Sequence, residues 1–291
     1  MLLFAAALWG TAFYFQKEAM AHIGPWTFIA ARAGLAAVAL APLAILEHRR
    51  AVPTTDKPGM QRIAILGGLV FLLAAYLQQA GLVTASVTNT GFLTSLYVVF
   101  TPLVAWFWLR IAPPRIVWPA IALSFAGTWL LGGGSLGGLA HGDLLVAASA
   151  LFWATHCVVT GRASQHQRPL TFTAIQFGVV TAFAVVAAFA TEQPTVEGLK
   201  AAAVPILFVG LVSTAVTFTL FAIAVRHTTP PEAAVILSAE SLFAAAAGAI
   251  MLGERLSAVS WLGAGLMIAA VLLVQIGPRF NRTALRAGAS D

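Results

Sequence analysis

Residues 169–190 read PLTFTAIQFGVVTAFAVVAAFA, twenty-two positions without one charged side chain. At about 1.5 Å per residue, a helix of that length crosses the roughly 30 Å hydrocarbon core of a bilayer. A strand buried in a soluble core is shorter, and the stretch lacks the alternation of an outer-membrane barrel strand. Similar runs recur at about 2–20, 26–46, 62–83, 88–109, 114–132, 143–162, 202–226, 231–252 and 258–277. Gly24-Pro25, Pro113-Pro114, Gly132-Gly133-Gly134 and Pro230-Pro231 punctuate them. The longest polar stretch, Glu47 to Gln61, reads as a connecting loop. The sequence therefore predicts an all-α polytopic membrane protein with ten transmembrane helices.

Composition agrees with that reading. Of 291 residues, 60% are hydrophobic and 9% charged, against roughly 25% charged in soluble domains. Sixteen Lys and Arg plus ten Asp and Glu are too few to wet a soluble particle of this size. Their placement orients the chain. If the amino terminus lies on one side, that side receives Arg49, Arg50, Lys57, Arg62, Arg110, Arg115, Arg162, Arg168, Arg226, Arg279, Arg282 and Arg286. The other side and the spans entering from it hold Lys17, Arg32, Lys200 and Arg255. Positive residues stay inside, so both termini are expected in the cytoplasm. The same rule explains the pI near 10.2 better than nucleic-acid binding does, because no basic stripe with interleaved aromatics is present.

The lone cysteine, Cys157, excludes an internal disulfide and a cysteine-based metal site. It reads as a small buried hydrophobe. The first apolar run has no basic segment before it and ends in Gln16-Lys17-Glu18 rather than a small-residue cleavage site. It is expected to be a first span, not a signal peptide.

The opening quotation also belongs to a repeat. Pro169, Thr171, Phe172, Ala174 and Gly178 fall 144 residues after Pro25, Thr27, Phe28, Ala30 and Gly34. An offset of 143 brings Ala148, Ala150 and Leu151 onto Ala5, Ala7 and Leu8, and Trp261 onto Trp118. Five spans per copy is an odd number, so the second copy enters from the opposite side. Such inverted repeats, here 1–133 and 142–277 with a cytoplasmic tail at 278–291, are typical of secondary transporters.

Ala7-Leu8-Trp9-Gly10-Thr11 with Lys17, and Ala150-Leu151-Phe152-Trp153-Ala154 in the second copy, resemble the opening signature of the EamA-type drug/metabolite transporter superfamily. Leu252-Gly253-Glu254-Arg255-Leu256 followed by Trp261-Leu262-Gly263-Ala264-Gly265 resembles its end-of-repeat pattern. The first copy departs there, with Ile111 opposite Glu254, while Trp118 and Gly127 keep the pattern. The resemblance implies a ten-helix carrier of small metabolites in the bacterial inner membrane, with a cavity among helices 1, 3, 4, 6, 8 and 9. It is nearest to the bacterial amino-acid exporters, including those for aromatic amino acids. Multidrug and nucleotide-sugar carriers of the same superfamily are the competing reading.

Polar side chains within spans are costly unless they face protein or water. Thr90, Thr94, Tyr97 and Thr101 form one stripe at i, i+4, i+7 and i+11, and Ser149, Trp153, His156 and Thr160 repeat it. Tyr76, Gln78 and Gln79, then Ser213 with Thr217, and Ser238 with Ser241 extend the set. For the Ser and Thr residues two readings stand, cavity lining or helix–helix hydrogen bonding. Trp26, Trp106, Trp108, Trp118, Trp129 and Trp261 lie near span ends, as an interfacial belt would. Trp9 and Trp153 lie deeper, leaving packing or substrate contact.

Glu240, deep in the ninth span, falls 143 residues after Tyr97. It is the candidate for a substrate amine or a coupling proton, with a hydrogen-bonded structural carboxyl as the alternative. Arg32 is expected to snorkel outward, with a substrate carboxylate as its other partner. Lys17 is expected at the interface. The candidate substrate-binding set is thus Trp9, Tyr76, Gln79, Thr94, Tyr97, Trp153, His156, Ser213 and Glu240. No P-loop, metal cluster or enzyme constellation is legible. Transport of an amino acid or similar small molecule without a cofactor, with protons as the candidate coupling ion, is the expected function.

Overall fold

The computed structural model of the protein describes residues 1–50, 57–110, 112–131, 141–253, 255 and 257–287. Ile111, Gly132-Gly133-Gly134, Glu254, Leu256 and residues 288–291 lie outside the described residues. Everything regular among the described residues is helical. In chain order the helices are α1 (Leu2–Ala19), α2 (Pro25–Arg50), α3 (Lys57–Leu82), α4 (Val87–Thr94), α5 (Tyr97–Leu109), α6 (Val117–Leu131), α7 (His141–Ala163) and α8 (Pro169–Thr191). Then come α9 (Val196–Ala201), α10 (Ala203–Leu207), a π-helical stretch Phe208–Val216, α11 (Thr217–Ala224), α12 (Pro230–Leu237), α13 (Glu240–Leu252) and α14 (Ala258–Ala287).

Seven continuous stretches are long and apolar enough to cross a membrane: 25–50, 58–82, 87–109, 141–166, 169–191, 203–227 and 230–251. Three expected spans fall short of that measure. The eighteen residues of α1 carry Gln16, Lys17 and Glu18 in their last turn, the described part of α6 stops at Leu131, and the apolar part of α14 is Ala258–Val274. The helix α14 itself continues to Ala287 rather than ending near 277.

The outside of the bundle is apolar and the inside is polar, the reverse of a soluble protein. Val38, Phe107, Phe189 and Ile250 are 73%, 88%, 74% and 84% exposed, whereas Gln79, Ser149, Thr214 and Thr217 are all below 1%. Only lipid solvates the first group without penalty. The protein is a multi-pass membrane protein.

The most extensive helix pairings are α2 with α8, α3 with α7, α6 with α14 and α1 with α13. The pair α2/α8 is held at both ends by reciprocal capping. At one end the Glu192 carboxylate, just past α8, accepts from the Trp26 and Thr27 amides at 2.8 Å each and from the Thr27 hydroxyl at 2.6 Å. At the other end Glu47, in the last turn of α2, accepts from the amides of Leu170 at 3.2 Å and Thr171 at 2.7 Å, and from the Thr171 hydroxyl at 2.7 Å. Each helix thus satisfies the orphan amides of its antiparallel neighbour and places a negative charge at that neighbour's positive end.

Lys17 serves a third terminus. Its ammonium donates to the carbonyls of Leu82 at 2.8 Å and of Val83 and Ala85 at 2.9 Å, closing the end of α3. Replacing Lys17 by Met keeps the stem and removes the donors. The substitution is expected to lower stability by about 1.5–3 kcal/mol, measurable by denaturing the purified protein in detergent micelles.

Two helical stretches are broken in mid-course, and the breaks correspond. Between α4 and α5 the amides of Leu96, Val98 and Val99 bond three residues back, to Leu93, Ser95 and Leu96. Between α12 and α13 the amides of Ala239, Ser241 and Leu242 do the same, to Ile236, Ser238 and Ala239. Every one of these bonds recurs at an offset of 143. Tyr97 is the first residue after one break and Glu240 the first after the other.

Candidate substrate cavity

The two breaks pack side by side and open onto one cavity. Serines tie them together: the Ser95 hydroxyl donates to Ser238 O at 3.3 Å and to Ser241 Oγ at 3.1 Å, and Ser238 Oγ meets Ser124 Oγ at 2.7 Å. The unfilled space beside them measures about 570 Å³, part of it open to solvent. Its wall holds Tyr97 and Glu240 from the breaks, Trp9, Phe13 and Gln16 from α1, and Arg32 from α2. Gln78 of α3, Trp153 and His156 of α7, and Ser213, Phe218 and Phe221 near the π-helical stretch complete most of it.

Seven of the nine sequence candidates line this cavity: Trp9, Thr94, Tyr97, Trp153, His156, Ser213 and Glu240. The stripes on the fourth and sixth spans converge only in their middle. Thr90, Thr101, Ser149 and Thr160 turn their hydroxyls onto their own helix, to Ser86 O, Tyr97 O, Val146 O and His156 O. Tyr76 and Gln79 do not line the cavity. Tyr76 stacks on Trp26 with centroids 4.0 Å apart and planes 11° from parallel, so Trp26 is also more than an interfacial anchor. Gln79 is wholly buried with neither amide atom bonded. The reason is helical phase. Gln78 and Phe71 are seven residues apart on the inward face of α3, and Gln79 stands about 100° away.

Arg32 departs from expectation most. It does not snorkel; it is 4% exposed and lies on the cavity wall. Its guanidinium carbon is 5.6 Å from the ring centroids of both Phe28 and Phe71. Arg32 sits about two turns into α2 on its buried face, shared with Ile29, Ala33 and Ala36, so the side chain starts out toward protein rather than lipid.

An aromatic cluster backs the cavity, with Phe218 at its hub. Its ring lies 4.6 Å from Trp9, 5.0 Å from Phe71, 5.7 Å from His156 and 6.1 Å from Trp153. The sequence pattern pointed to Ser213 and Thr217, four apart. In the π-helical stretch the bonding is five residues back, so Phe218 rather than Thr217 joins Ser213 on the cavity side. The hydroxyl of Thr217 instead bonds Ser213 O, which also accepts from Trp9 Nε1 at 3.0 Å. An interrupted ladder is the signal that could have found Phe218, and no single residue in FVGLVSTAV announces it.

Polar groups around the cavity divide into satisfied and unsatisfied ones. His156 Nε2 is 3.1 Å from Gln176 Oε1, and Gln78 Nε2 donates to Thr94 Oγ1 at 2.8 Å. Arg32 Nε and Nη2, Glu240 Oε1, Tyr97 Oη, Trp153 Nε1 and Gln16 Oε1 are buried without a hydrogen-bond partner. The Tyr97 hydroxyl lies within reach of the Glu240 carboxyl. Buried polar atoms are normally paired, so a cavity wall carrying several unpaired ones can hydrogen-bond a polar ligand or water. Cys157 is buried here as well, its thiol 3.5 Å from Pro230 O.

Comparison with known proteins agrees with this architecture. The chain matches the EamA-like transporter family twice, over residues 1–133 and 140–276. It is 27% identical over 276 residues to an uncharacterized transporter of Archaeoglobus fulgidus, covering 94% of this chain and 84% of that protein. It is 28% identical over 296 residues to the uncharacterized transporter YwfM of Bacillus subtilis, covering 97% and 95%. A solved structure described only as a protein crystal structure shares the fold with a TM-score of 0.73 over 96% of both chains, at 17% identity. Both halves of the chain thus carry the same signature, and the protein belongs to the EamA-like transporter family.

Proposed function

We propose that this protein is a secondary transporter exporting small metabolites, chiefly amino acids and among them aromatic and apolar ones, by alternating access to the cavity. The observation that carries the reading is the pair of corresponding helix breaks meeting at one cavity. Discontinuous helices at equivalent positions of two halves are the usual site of substrate binding in repeat-built transporters. In this reading the chain forms ten spans as two inverted five-helix repeats, 1–133 and 142–277. Residues 278–291 form the tail, and both termini are cytoplasmic in a bacterial inner membrane. Trp9, Thr94, Tyr97, Trp153, His156, Ser213 and Glu240 contact substrate, Tyr76 and Gln79 support them from behind, and Glu240 is the carrier of a coupling proton. The aromatic cluster suits an apolar side chain, and the unpaired polar atoms suit its polar end.

The test is flux of radiolabelled solutes into proteoliposomes containing the purified protein, across a panel of amino acids, sugars, nucleotide sugars and cationic dyes. Aromatic and branched amino acids are expected to move, and an imposed pH gradient to drive them. Glu240→Gln is expected to abolish the response to the gradient. Robust dye or nucleotide-sugar transport with no amino-acid uptake would replace this reading by that of a multidrug or nucleotide-sugar carrier. An unchanged pH response in Glu240→Gln would remove that carboxylate from coupling.

A further inference from the structure

Arg32 and Glu240 are opposite charges on the wall of one cavity, 4% and 3% exposed. Among the described residues they form no ion pair with each other or with any other side chain. The rings of Phe28 and Phe71 flank the guanidinium, and its Nε and Nη2 donors are unmet. Glu240 Oε1 has no hydrogen-bond partner, and the Tyr97 hydroxyl beside the carboxyl brings no charge to it. Burying an ion without a counter-charge is strongly unfavourable, so the guanidinium calls for an anionic group and the carboxyl for a proton or a cationic one.

The chain contains its own control for whether the fold needs these charges. At the offset of 144 that aligns Pro25 with Pro169, Arg32 corresponds to Gln176; at 143, Glu240 corresponds to Tyr97. Both equivalents are neutral and buried, so the same helical positions are built without a charge. Gln176 has a partner in His156. The residue 143 positions before His156 is Phe13, whose ring offers Arg32 no acceptor. The two-copy architecture accounts for the backbone at these positions and not for the charges.

We infer that Arg32 and Glu240 are the two poles of a zwitterion site: the guanidinium takes the ligand's carboxylate and the Glu240 carboxylate its ammonium group. Trp153 and Phe218 hold the apolar remainder. This rests on the amino-acid reading above and deepens it, because a ligand carrying one charge leaves the other pole buried and unpaired. Amines and simple carboxylic acids are therefore rejected, however well their side chains fit.

The test is equilibrium binding to the purified full chain, with L-phenylalanine, L-phenylalaninamide and 3-phenylpropanoate as probes. Wild type is expected to bind L-phenylalanine at least tenfold more tightly than either single-charge analogue. Arg32→Gln is expected to bind the amino acid and its amide equally while still rejecting 3-phenylpropanoate. Glu240→Gln is expected to show the mirror image. That crossed loss of discrimination cannot come from a merely structural defect. Where Arg32→Gln fails to fold, Arg32→Lys keeps the charge but loses the bidentate fork, and a preference for the free acid reduced severalfold is expected. The wild-type analogue series stands without any variant. Wild type binding the amide as tightly as L-phenylalanine, or Arg32→Gln keeping its discrimination, overturns the two-pole assignment alone. No binding of L-phenylalanine beside clear binding of a cationic dye overturns both this and the amino-acid reading.

Discussion

Gly10→Ala is expected to abolish transport and to lower stability by about 3 kcal/mol, the upper end of the usual cost of overpacking. A Cβ at Gly10 would meet the carbonyl oxygen of Glu240, and would lie 2.6 Å from Phe243 Cβ and 2.7 Å from Ala244 N. Two of those three atoms are backbone and cannot rotate aside, so α13 itself must move. Its first residue is Glu240, on the cavity wall. A single methyl group therefore displaces a proposed binding residue it does not replace. Denaturation of the purified protein and flux in proteoliposomes check this, with Gly178→Ala as control. Nothing lies within 4 Å of a Cβ at Gly178, and alanine in a helix interior is there expected to be neutral or stabilising by about 0.5–1 kcal/mol. Equal behaviour of the two variants would show that α1 and α13 do not touch at Gly10.

The second large effect concerns the reciprocal caps. Glu47→Ala and Glu192→Ala each remove three part-buried hydrogen bonds from the start of a helix. Each is expected to cost about 2–3 kcal/mol. The two caps lie about 30 Å apart along α2 at 1.5 Å per residue, so the double variant is expected to lose the sum. Gly24 supplies a sharper check. A Cβ there would overlap the Glu192 carboxyl, so Gly24→Ala is expected to destabilise wild type and to cost nothing further in Glu192→Ala. Simple additivity of Gly24→Ala with Glu192→Ala in denaturation curves would contradict the seating of that carboxylate.

These residues show what a linear reading captures. Helical class, apolar runs and the two-copy pattern were legible because lipid imposes length and hydropathy locally, and because Pro25/Pro169 and Thr27/Thr171 stand at a fixed offset. Glu47 and Glu192 extend that pattern at an offset of 145. Their role was not legible, since a carboxylate at a span end looks the same whether it faces solvent or another helix. Most of the cavity was legible as well, because deep aromatic and polar side chains in spans have few other uses. Tyr76 and Gln79 miss the cavity wall by helical phase, two residues and one residue away from Gln78.

By itself the sequence determined the solvent of this protein and the periodicity of its chain, since both depend on how many apolar residues follow one another. Only the tertiary structure decided where charge goes. Arg32, about two turns from a helix end, has side-chain length enough to reach an interface. It turns inward because it lies on the buried face of α2 with Ile29, Ala33 and Ala36, and it meets two phenyl rings rather than an acid. Likewise Phe218 joins Ser213 only because the ladder between them runs five residues rather than four. Whether a buried charge is paired depends on neighbours far away in the chain, and in a bilayer that pairing separates a structural ion from one that awaits a ligand.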